Sequence, residues 1–587
     1  MSKERYDRRR FLGGAAAGAG AMAVATSPAL AAFRDFQKPG TDGIPLAKGG
    51  SFEQGVAAGQ PTTSGITLWT RVEGIDDRSV IRWEVARDKD FKNVVRDGKS
   101  IISKKFDFTA KARVPGLKPG DEYFYRFETK NESSPAGRFR TTRPKGSRET
   151  VRIGFFSCQE FIAGFYAAHR DLAEQDLDLV VCLGDYIYEQ GFAEDVGGQP
   201  PVREDTAGDN GDAQTLDDYR EKYQVYHTDE DLLKVRENFA MMAIWDDHEV
   251  EDNYADQRPG GATENRRTEF RKRRADGYRA FFENMPRIRF DNRRDQIYSR
   301  LAMGNADIFF LDERAFRDDQ PCNEDDSFFS EECPPEEYNE EGRTLLGRRQ
   351  LKELKKFLER SEATWKLVAN QVMIMSLDSG PRNPLNTDSW DGYGDERREI
   401  IDHIEEKGID NVSFVTGDIH TFFAGNVHRS GRDDGNPDDN AAGFRDGPPR
   451  ATEFVGGSIT SPGVADRPAR NECERNGIAG PLDAAARDAN THLKFSNQAY
   501  KGYALVEAKG SELEVTYRAV RDHRQETSEV FQLARFKVAD GDPRVDVVED
   551  NAASAASRAC GGGPLQTPPG PFPGDLDDLR AAGQNLP

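Results

Sequence analysis

The chain has 587 residues, with 81 Lys and Arg against 103 Asp and Glu, a formal net charge of −22 and six cysteines. That length accommodates two or three domains and a large core. The acidic balance argues against a nucleic-acid partner, which would need clustered basic residues, and it suits calcium or a hydrated surface.

The first segment, RYDRRRFLGGAAAGAGAMAVATSPALAAF, sets Arg8, Arg9, Arg10, Phe11 and Leu12 before a weakly apolar Ala/Gly run and closes on Ala29-Leu30-Ala31, small residues suited to cleavage. Residues 1–31 therefore read as a twin-arginine signal. A transmembrane anchor is the competing reading, but Gly and Pro interrupt the run, which falls short of the ~20 strongly apolar residues a span needs. Export through the twin-arginine machinery, with a secreted, periplasmic or cell-wall destination and no integral membrane anchor, is expected. An oxidising compartment makes disulfides the default for paired cysteines. Cys322 and Cys333 bracket the acidic loop CNEDDSFFSEEC, and Cys473 and Cys560 lie in Gly/Ala/Asp-rich sequence; these are the expected pairs. Cys182, in LVVCLGD, sits mid-strand and reads as an inert core thiol. Cys158, in GFFSCQE, ends a strand beside polar residues, where a thiolate can meet a metal or a substrate.

Residues 45–143 alternate apolar and polar positions in GITLWTRV, VIRWEVARD, FDFTAKARV and YFYRFETKN, with turn signals between them, which predicts a small β-sandwich. The stretch 116–126, GLKPGDEYFYR, resembles the tyrosine corner of immunoglobulin and fibronectin type III folds. With no ligand cluster, this region reads as a packing or positioning domain. TTRPKGSRET is the linker.

Beyond it, apolar strands alternate with helical stretches: VRIGFFSC, LDLVVCLGD, FAMMAIWDD, ADIFFLDE, TWKLVANQV and NVSFVTGD, with helices such as GRRQLKELKKFLER between them. The class is α/β. The strands stop at Cys158, at Asp185, at Asp246-Asp247-His248, at Asn370, and at Asp418 and His420, and carboxyl ends of strands in such sheets face the ligand crevice. All are groups a metal can use, which predicts a metal site. Asp418 and His420, two apart on extended chain, project to one side. Tyr188, three after Asp185, can face the same centre or stay a surface phenol, and His420 can instead be a satisfied core histidine. In NRRTEFRKRRADGYRAFFENMP a helical reading aligns Phe270, Arg274 and Tyr278 with Phe281 and Phe282, so Arg274 points inward to an anion, either a structural carboxylate or a phosphate. Arg266, Arg271, Lys272 and Arg273 mostly point elsewhere, onto a solvated face.

The strings SCQ, GDYIYE, WDDHEVEDNY and TGDIH, in this order behind such a signal and sandwich, closely resemble the alkaline phosphatase D (PhoD) family of calcineurin-like metallophosphoesterases. The resemblance covers about residues 45–425 and EFVGGSITSPG near 453. It implies a four-layer sandwich of two mixed β-sheets flanked by helices for residues 150–540; an insert at about 428–490, around the acidic stretch RSGRDDGNPDDNAAG, and an irregular tail at 541–587 lie outside it. It also implies a ferric ion on Cys158, Asp185, Tyr188 and His420, and calcium on Asp185, Asn253 and Asp418, with Asp185 bridging. Arg274 falls where the family places a phosphate-binding arginine, and Asp247-His248 stand where other metallophosphoesterases carry Asn-His.

The expected activity is hydrolysis of phosphate esters by a metal-activated hydroxide, as alkaline phosphatase or phosphodiesterase. The alternatives are a phospholipase D-type phosphodiesterase of the same family and a calcium-stabilised cell-surface binding protein. A serine nucleophile in GGSITSPG is disfavoured because Thr460, not glycine, stands two residues after Ser458. Cys158 as a nucleophile with a histidine is the remaining hydrolase reading.

Overall fold

Short alternating segments at the N-terminal side build two small antiparallel sheets in the computed structural model, which describes residue 41 and residues 43–566 except 192–198, 206, 208–210, 261–266, 289–295, 323–332, 381–382 and 430–447. The export segment at 1–31 lies outside the described residues. The strands are β1 (Val56–Thr62), β2 (Gly65–Arg71), β3 (Ser79–Ala86), β4 (Val94–Ile102), β5 (Thr109–Pro115), β6 (Glu122–Glu128) and β7 (Gly137–Arg140). They pair in the orders β1-β2-β5 and β4-β3-β6-β7. Period-two alternation turns Tyr123, Tyr125 and Phe127 of β6 into the core, and the Tyr123 hydroxyl accepts the Lys118 amide hydrogen at 2.9 Å, closing the corner at its start. This domain braces the rest of the chain. Trp69 Nε1 donates to the Glu283 carbonyl at 2.7 Å, and the buried Arg236 lies over the Trp69 ring and donates to Tyr186 Oη at 2.9 Å.

The second domain contains β8 (Val151–Phe156), β9 (Leu179–Cys182), β10 (Met241–Ala243), β11 (Ser299–Ala302), β12 (Ala306–Phe310), β13 (Trp365–Asn370), a hairpin of β14 (Asp378–Gly380) and β15 (Asn383–Pro384), β16 (Val412–Thr416), β17 (Phe422–Val427), β18 (Ala451–Val455), β19 (Leu493–Asn497), β20 (Lys501–Ala508), β21 (Glu512–Val520), β22 (Val530–Ala539) and β23 (Asp542–Asp550). Two seven-stranded mixed sheets result, in the orders β10-β9-β8-β20-β21-β22-β23 and β11-β12-β13-β16-β18-β17-β19. Their inner faces meet through aromatic pairs, Phe422 with Tyr517 and Phe454 with Phe536. Helices α1 (Ala167–Ala173), α2 (Leu216–Tyr226), α3 (Glu230–Asn238), α4 (Arg267–Asn284), α5 (Gly347–Arg360), α6 (Gly394–Lys407), α7 (Glu472–Ala489) and α8 (Ala552–Ala559) accompany the sheets. In α5 the predicted stripe of Leu351, Leu354 and Leu358 is buried together with Phe357, which packs on Phe309.

Two boundaries differ from the sequence expectation. The region read as an insert, 428–490, contributes β18, buried between β16 and β17, and the long helix α7; Gly477, Gly480 and Pro481 inside α7 hide its helical pattern. The region read as an irregular tail begins with β23 and α8. β23 is an edge strand with Val545 turned inward and Val547 and Val548 exposed, so it lacks the two-sided apolar signature of the inner strands. Cys322–Cys333 and Cys473–Cys560 are disulfide-bonded as expected, while Cys158 and Cys182 are free and buried. Among the described residues no helix is long and apolar enough to cross a membrane.

Candidate metal centre

The parallel strands β8, β9 and β10 end side by side, and β13 and β16 end opposite them in the other sheet. Gly184, just past β9, has φ +115°, and a Cβ there would lie 2.4 Å from the Asp246 side chain, so only glycine lets these two strand ends close. Cys158, Asp185 and His420 bring one donor atom each within 4.8 Å of one another; so do Asp185, Asp247 and His248, and Asp246, Asp247 and Asp418. The Tyr188 hydroxyl lies 3.2 Å from both Asp185 Oδ2 and His420 Nε2, and its ring stacks on His248. Asn253 is anchored on the same cluster through its amide, which donates to Asp247 Oδ2 at 2.8 Å. Asn370 is not part of it. Its amide nitrogen donates to the Val372 carbonyl, and its oxygen accepts from Thr416.

The backbone at these positions is unusual. Cys158, Asp185, Asn253, Asp418 and His420 all have φ between 52° and 65°. L-residues adopt that left-handed region at a cost of roughly 1–3 kcal/mol, and such strain concentrates where function fixes the geometry. The turns point the side chains back toward one centre instead of onward along each strand.

The cluster carries more acid than the chain can neutralise. Asp185 Oδ1 and Asp246 Oδ2 are buried without a hydrogen-bond partner, and such carboxylate oxygens call for a cation. Burial, with neighbouring carboxylates, pushes Asp185 and Asp418 well above the usual range and Asp246 up to about 7. Burial likewise raises the Cys158 thiol and the Tyr188 phenol, both beside Asp185. Burial also acts to raise Asp247, but Arg314 and His248 outweigh it and hold that carboxyl low. His248 goes up despite burial because Glu189, Asp247 and Asp185 surround it, and His420 drops to about 3 through burial and Lys501. Thiolate, phenolate and imidazole on one side suit a transition metal, and an all-oxygen set on the other suits calcium, so the donors fit bound metals of both kinds.

A pH dependence follows for the metal-free protein. Burial places Glu249 and Glu313 at about 8 and Asp246 at about 7 in the folded state. The native state thus keeps protons that the unfolded chain has released, and the stability held below the ordinary carboxyl pKa is lost as pH rises through 7 to 8. Buried histidines with lowered pKa, such as His227, work in the opposite sense only below about 6.5. The thermal midpoint should therefore fall between about pH 6.5 and 8.5, and added calcium should raise it most at the upper end. A midpoint that rises over this range would show that the cluster is already ionised without metal.

A second ring of residues orients these donor groups. Glu249 accepts the amide hydrogens of Asp185, Tyr186 and Asp246, so one buried carboxylate fixes two strand ends. Glu189 Oε2 holds His248 Nδ1 at 2.8 Å. Ser461 Oγ lies 2.6 Å from the Tyr188 hydroxyl and 2.8 Å from the Cys158 carbonyl oxygen, and His420 Nδ1 meets the Pro462 carbonyl at 2.9 Å. The loop bearing Ser461 and Pro462 is tied down by Asp466, which accepts from the Gly463 amide and pairs with Lys501 at 2.7 Å. Arg314, fully buried, pairs with Asp246, Asp388 and Asp418. Sequence reasoning missed these residues. Only Arg314 had a legible signal, since Asp312-Glu313-Arg314 directly follows the buried strand β12.

Arg274 lies on α4 with Phe270, Tyr278, Phe281 and Phe282 buried along the helix as predicted. Its Nη1 donates to the Asp256 carbonyl at 2.7 Å and to Asp256 Oδ1 at 2.5 Å, so it sits beside the segment following Asn253, not among the metal donors. Arg273 departs from its expected solvated face. It is buried, donating to the Ala213 carbonyl and Tyr219 Oη and pairing with Glu251, because α2 covers that side of α4.

A family model described as PhoD-like phosphatase matches residues 153–517, and one described as PhoD-like phosphatase, N-terminal domain, matches residues 44–143. Alkaline phosphatase D of Bacillus subtilis (strain 168) is 33% identical over 536 residues, covering 88% of this chain and 84% of that protein. The solved structure of PhoD superposes with a TM-score of 0.78 at 29% identity, covering 92% of this chain and 98% of that one.

Proposed function

The chain belongs to the PhoD-like phosphatase family, hydrolases of phosphoric ester bonds, and from that premise we propose an exported phosphoesterase that uses ferric iron and calcium. Cys158, Asp185, Tyr188 and His420 hold the iron, and Asp185, Asn253 and Asp418 hold the calcium, with Asp185 shared. The observation that carries this reading is the gathering of Cys158, Asp185 and His420 within 4.8 Å, with the Tyr188 hydroxyl 3.2 Å from Asp185 and from His420; Asp418 belongs to a separate all-oxygen group with Asp246 and Asp247. Bound metals of this kind polarise a phosphoryl oxygen and bring the pKa of a water toward neutrality.

The chain's own groups supply the rest. Asp247 fixes the turn that presents Asn253 by accepting its amide hydrogen. His248, held through Nδ1 by Glu189, keeps Nε2 for a proton delivered to the leaving oxygen. Arg274 holds an anionic oxygen of the substrate. Residues 1–31 serve as a twin-arginine signal, a route that carries a folded chain with its metals already bound.

The test compares a chromogenic phosphate monoester and diester on metal-loaded protein. Activity should rise toward alkaline pH, disappear on chelation, and return with calcium only where iron has been retained. Full activity in metal-free protein would overturn the metal assignment.

A further inference from the structure

Beside the metal centre lies an open groove of about 590 Å³ whose lining includes Arg274, Arg348, Arg349, Tyr278, Tyr298 and Phe316. Its inner wall is built from the chain that carries the cluster. Asp256 and Ala315 line it, three residues after Asn253 and one after Arg314, and the Asp256 amide donates to the Arg314 carbonyl at 2.9 Å. Tyr278 on the wall stacks at 3.9 Å on Trp245, the residue before Asp246. The aromatic side is closed by design of the backbone. Gly347 has φ +69°, and a Cβ there would stand 3.1 Å from Phe316 Cβ, so the start of α5 can press against Phe316, which itself packs edge-on to Tyr298.

The charge of this groove is opposite to that of the molecule. In a chain of net charge −22 it gathers three guanidinium groups against one carboxylate, Asp256, which is already paired with Arg274. Arg348 makes no ion pair or hydrogen bond among the described residues, and Arg349 has only an exposed contact to Glu353 at 3.5 Å. Helix stability does not account for the two, since cations in a first turn oppose the helix dipole. Phe316, 40% exposed, adds an unusual amount of open aromatic surface between them.

We propose that this groove is the leaving-group subsite, and that it selects esters whose leaving group carries a second anionic substituent on an apolar or aromatic body. The proposal rests on the phosphoesterase reading. The scissile phosphate sits at the metal cluster, Arg274 marks the junction, and the distal anion meets Arg348 and Arg349.

The experiment pairs two nearly isosteric esters, 4-carboxyphenyl phosphate and 4-carbamoylphenyl phosphate, on the metal-loaded full chain. The kcat/KM ratio should favour the carboxylate about three- to tenfold at low ionic strength, the size expected of exposed charge pairs, and should decline with added salt. The double variant R348A/R349A should bring the ratio to about one, R348K/R349K should keep it, and R348E/R349E should invert it. 1,4-Phenylene bisphosphate, compared with the same carbamoyl ester, tells whether a phosphate serves as well as a carboxylate. A ratio of one in the unsubstituted protein, or a preference that survives R348E/R349E, overturns the subsite. If neither ester is hydrolysed the phosphoesterase reading fails instead, and calorimetric binding of the two esters decides the groove on its own, by whether the carboxylate binds more tightly and loses that advantage in R348A/R349A.

Discussion

The Cys158→Ser protein should lose most of the iron proposed for this centre and at least about a hundredfold of its turnover while keeping its fold. Ligand-shell changes beyond the first donors already cost 10- to 100-fold in such sites, so removing a donor sets a higher floor. The main-chain role of this residue survives the change. Its amide donates to the Gly184 carbonyl, and its carbonyl accepts the Ile459 and Ser461 amides, none of which involves sulfur. What disappears is the one group that bound metal can keep as a soft anion, because a serine hydroxyl does not ionise in its place. Ferric thiolate and phenolate bonding gives visible absorption, so the purified protein should be coloured and the variant bleached or shifted. Cys182→Ser is the control. Its thiol is equally buried but sits within β9 near the Gly184 carbonyl, and it should leave metal content and colour unchanged. Stoichiometric iron with normal turnover in Cys158→Ser would reduce the thiol to packing.

Three of the six proposed ligand positions, Cys158, Asp185 and Asp418, were legible as candidates because each follows a buried apolar strand, and a strand of known direction has a known end. VRIGFFSC, LDLVVCLGD and NVSFVTGD needed no structure to place Cys158, Asp185 and Asp418 at one edge. The turns that make those ends converge were not legible, since the left-handed φ at five of the six proposed ligands, Cys158, Asp185, Asn253, Asp418 and His420, is uncommon for any residue other than glycine. The supporting ring was hidden for a related reason. Ser461 touches Tyr188 across 273 positions and Arg314 reaches Asp418 across 104, so only the closed pair of sheets brings them together. Arg273 was misplaced because period alone assigns a helix one buried face, whereas α4 is covered on two.

Arg314→Met should destabilise the metal-free protein by about 3–5 kcal/mol at pH 8, the cost typical of stripping one partner from a buried charge network. Arg314 is fully buried, its Nη1 and Nη2 each 2.9 Å from Asp388, its Nη2 3.3 Å from Asp418, and its Nε bound to Asp246. Methionine fills much of the volume but leaves Asp246 and Asp418 facing each other without a cation. Asp388 retains Arg317 at 2.8 Å, so the loss falls on Asp246, on Asp418 and on Asp247, whose carboxylate lies 3.6 Å from Arg314 Nη2. Protonation relieves them, so the gap between variant and parent should shrink toward pH 5. Calcium should relieve them as well, and its effect on the urea midpoint should be larger in Arg314→Met than in the parent. The two relief routes distinguish electrostatics from a packing defect, which neither pH nor calcium would repair. A variant that is destabilised equally at pH 5 and pH 8 and does not respond to calcium would mean that Arg314 acts as filling. If the unfolding free energy is within about 1 kcal/mol of the parent at pH 8 without metal, the aspartates were never ionised together, and Arg314 serves to aim Asp418, not to neutralise the cluster.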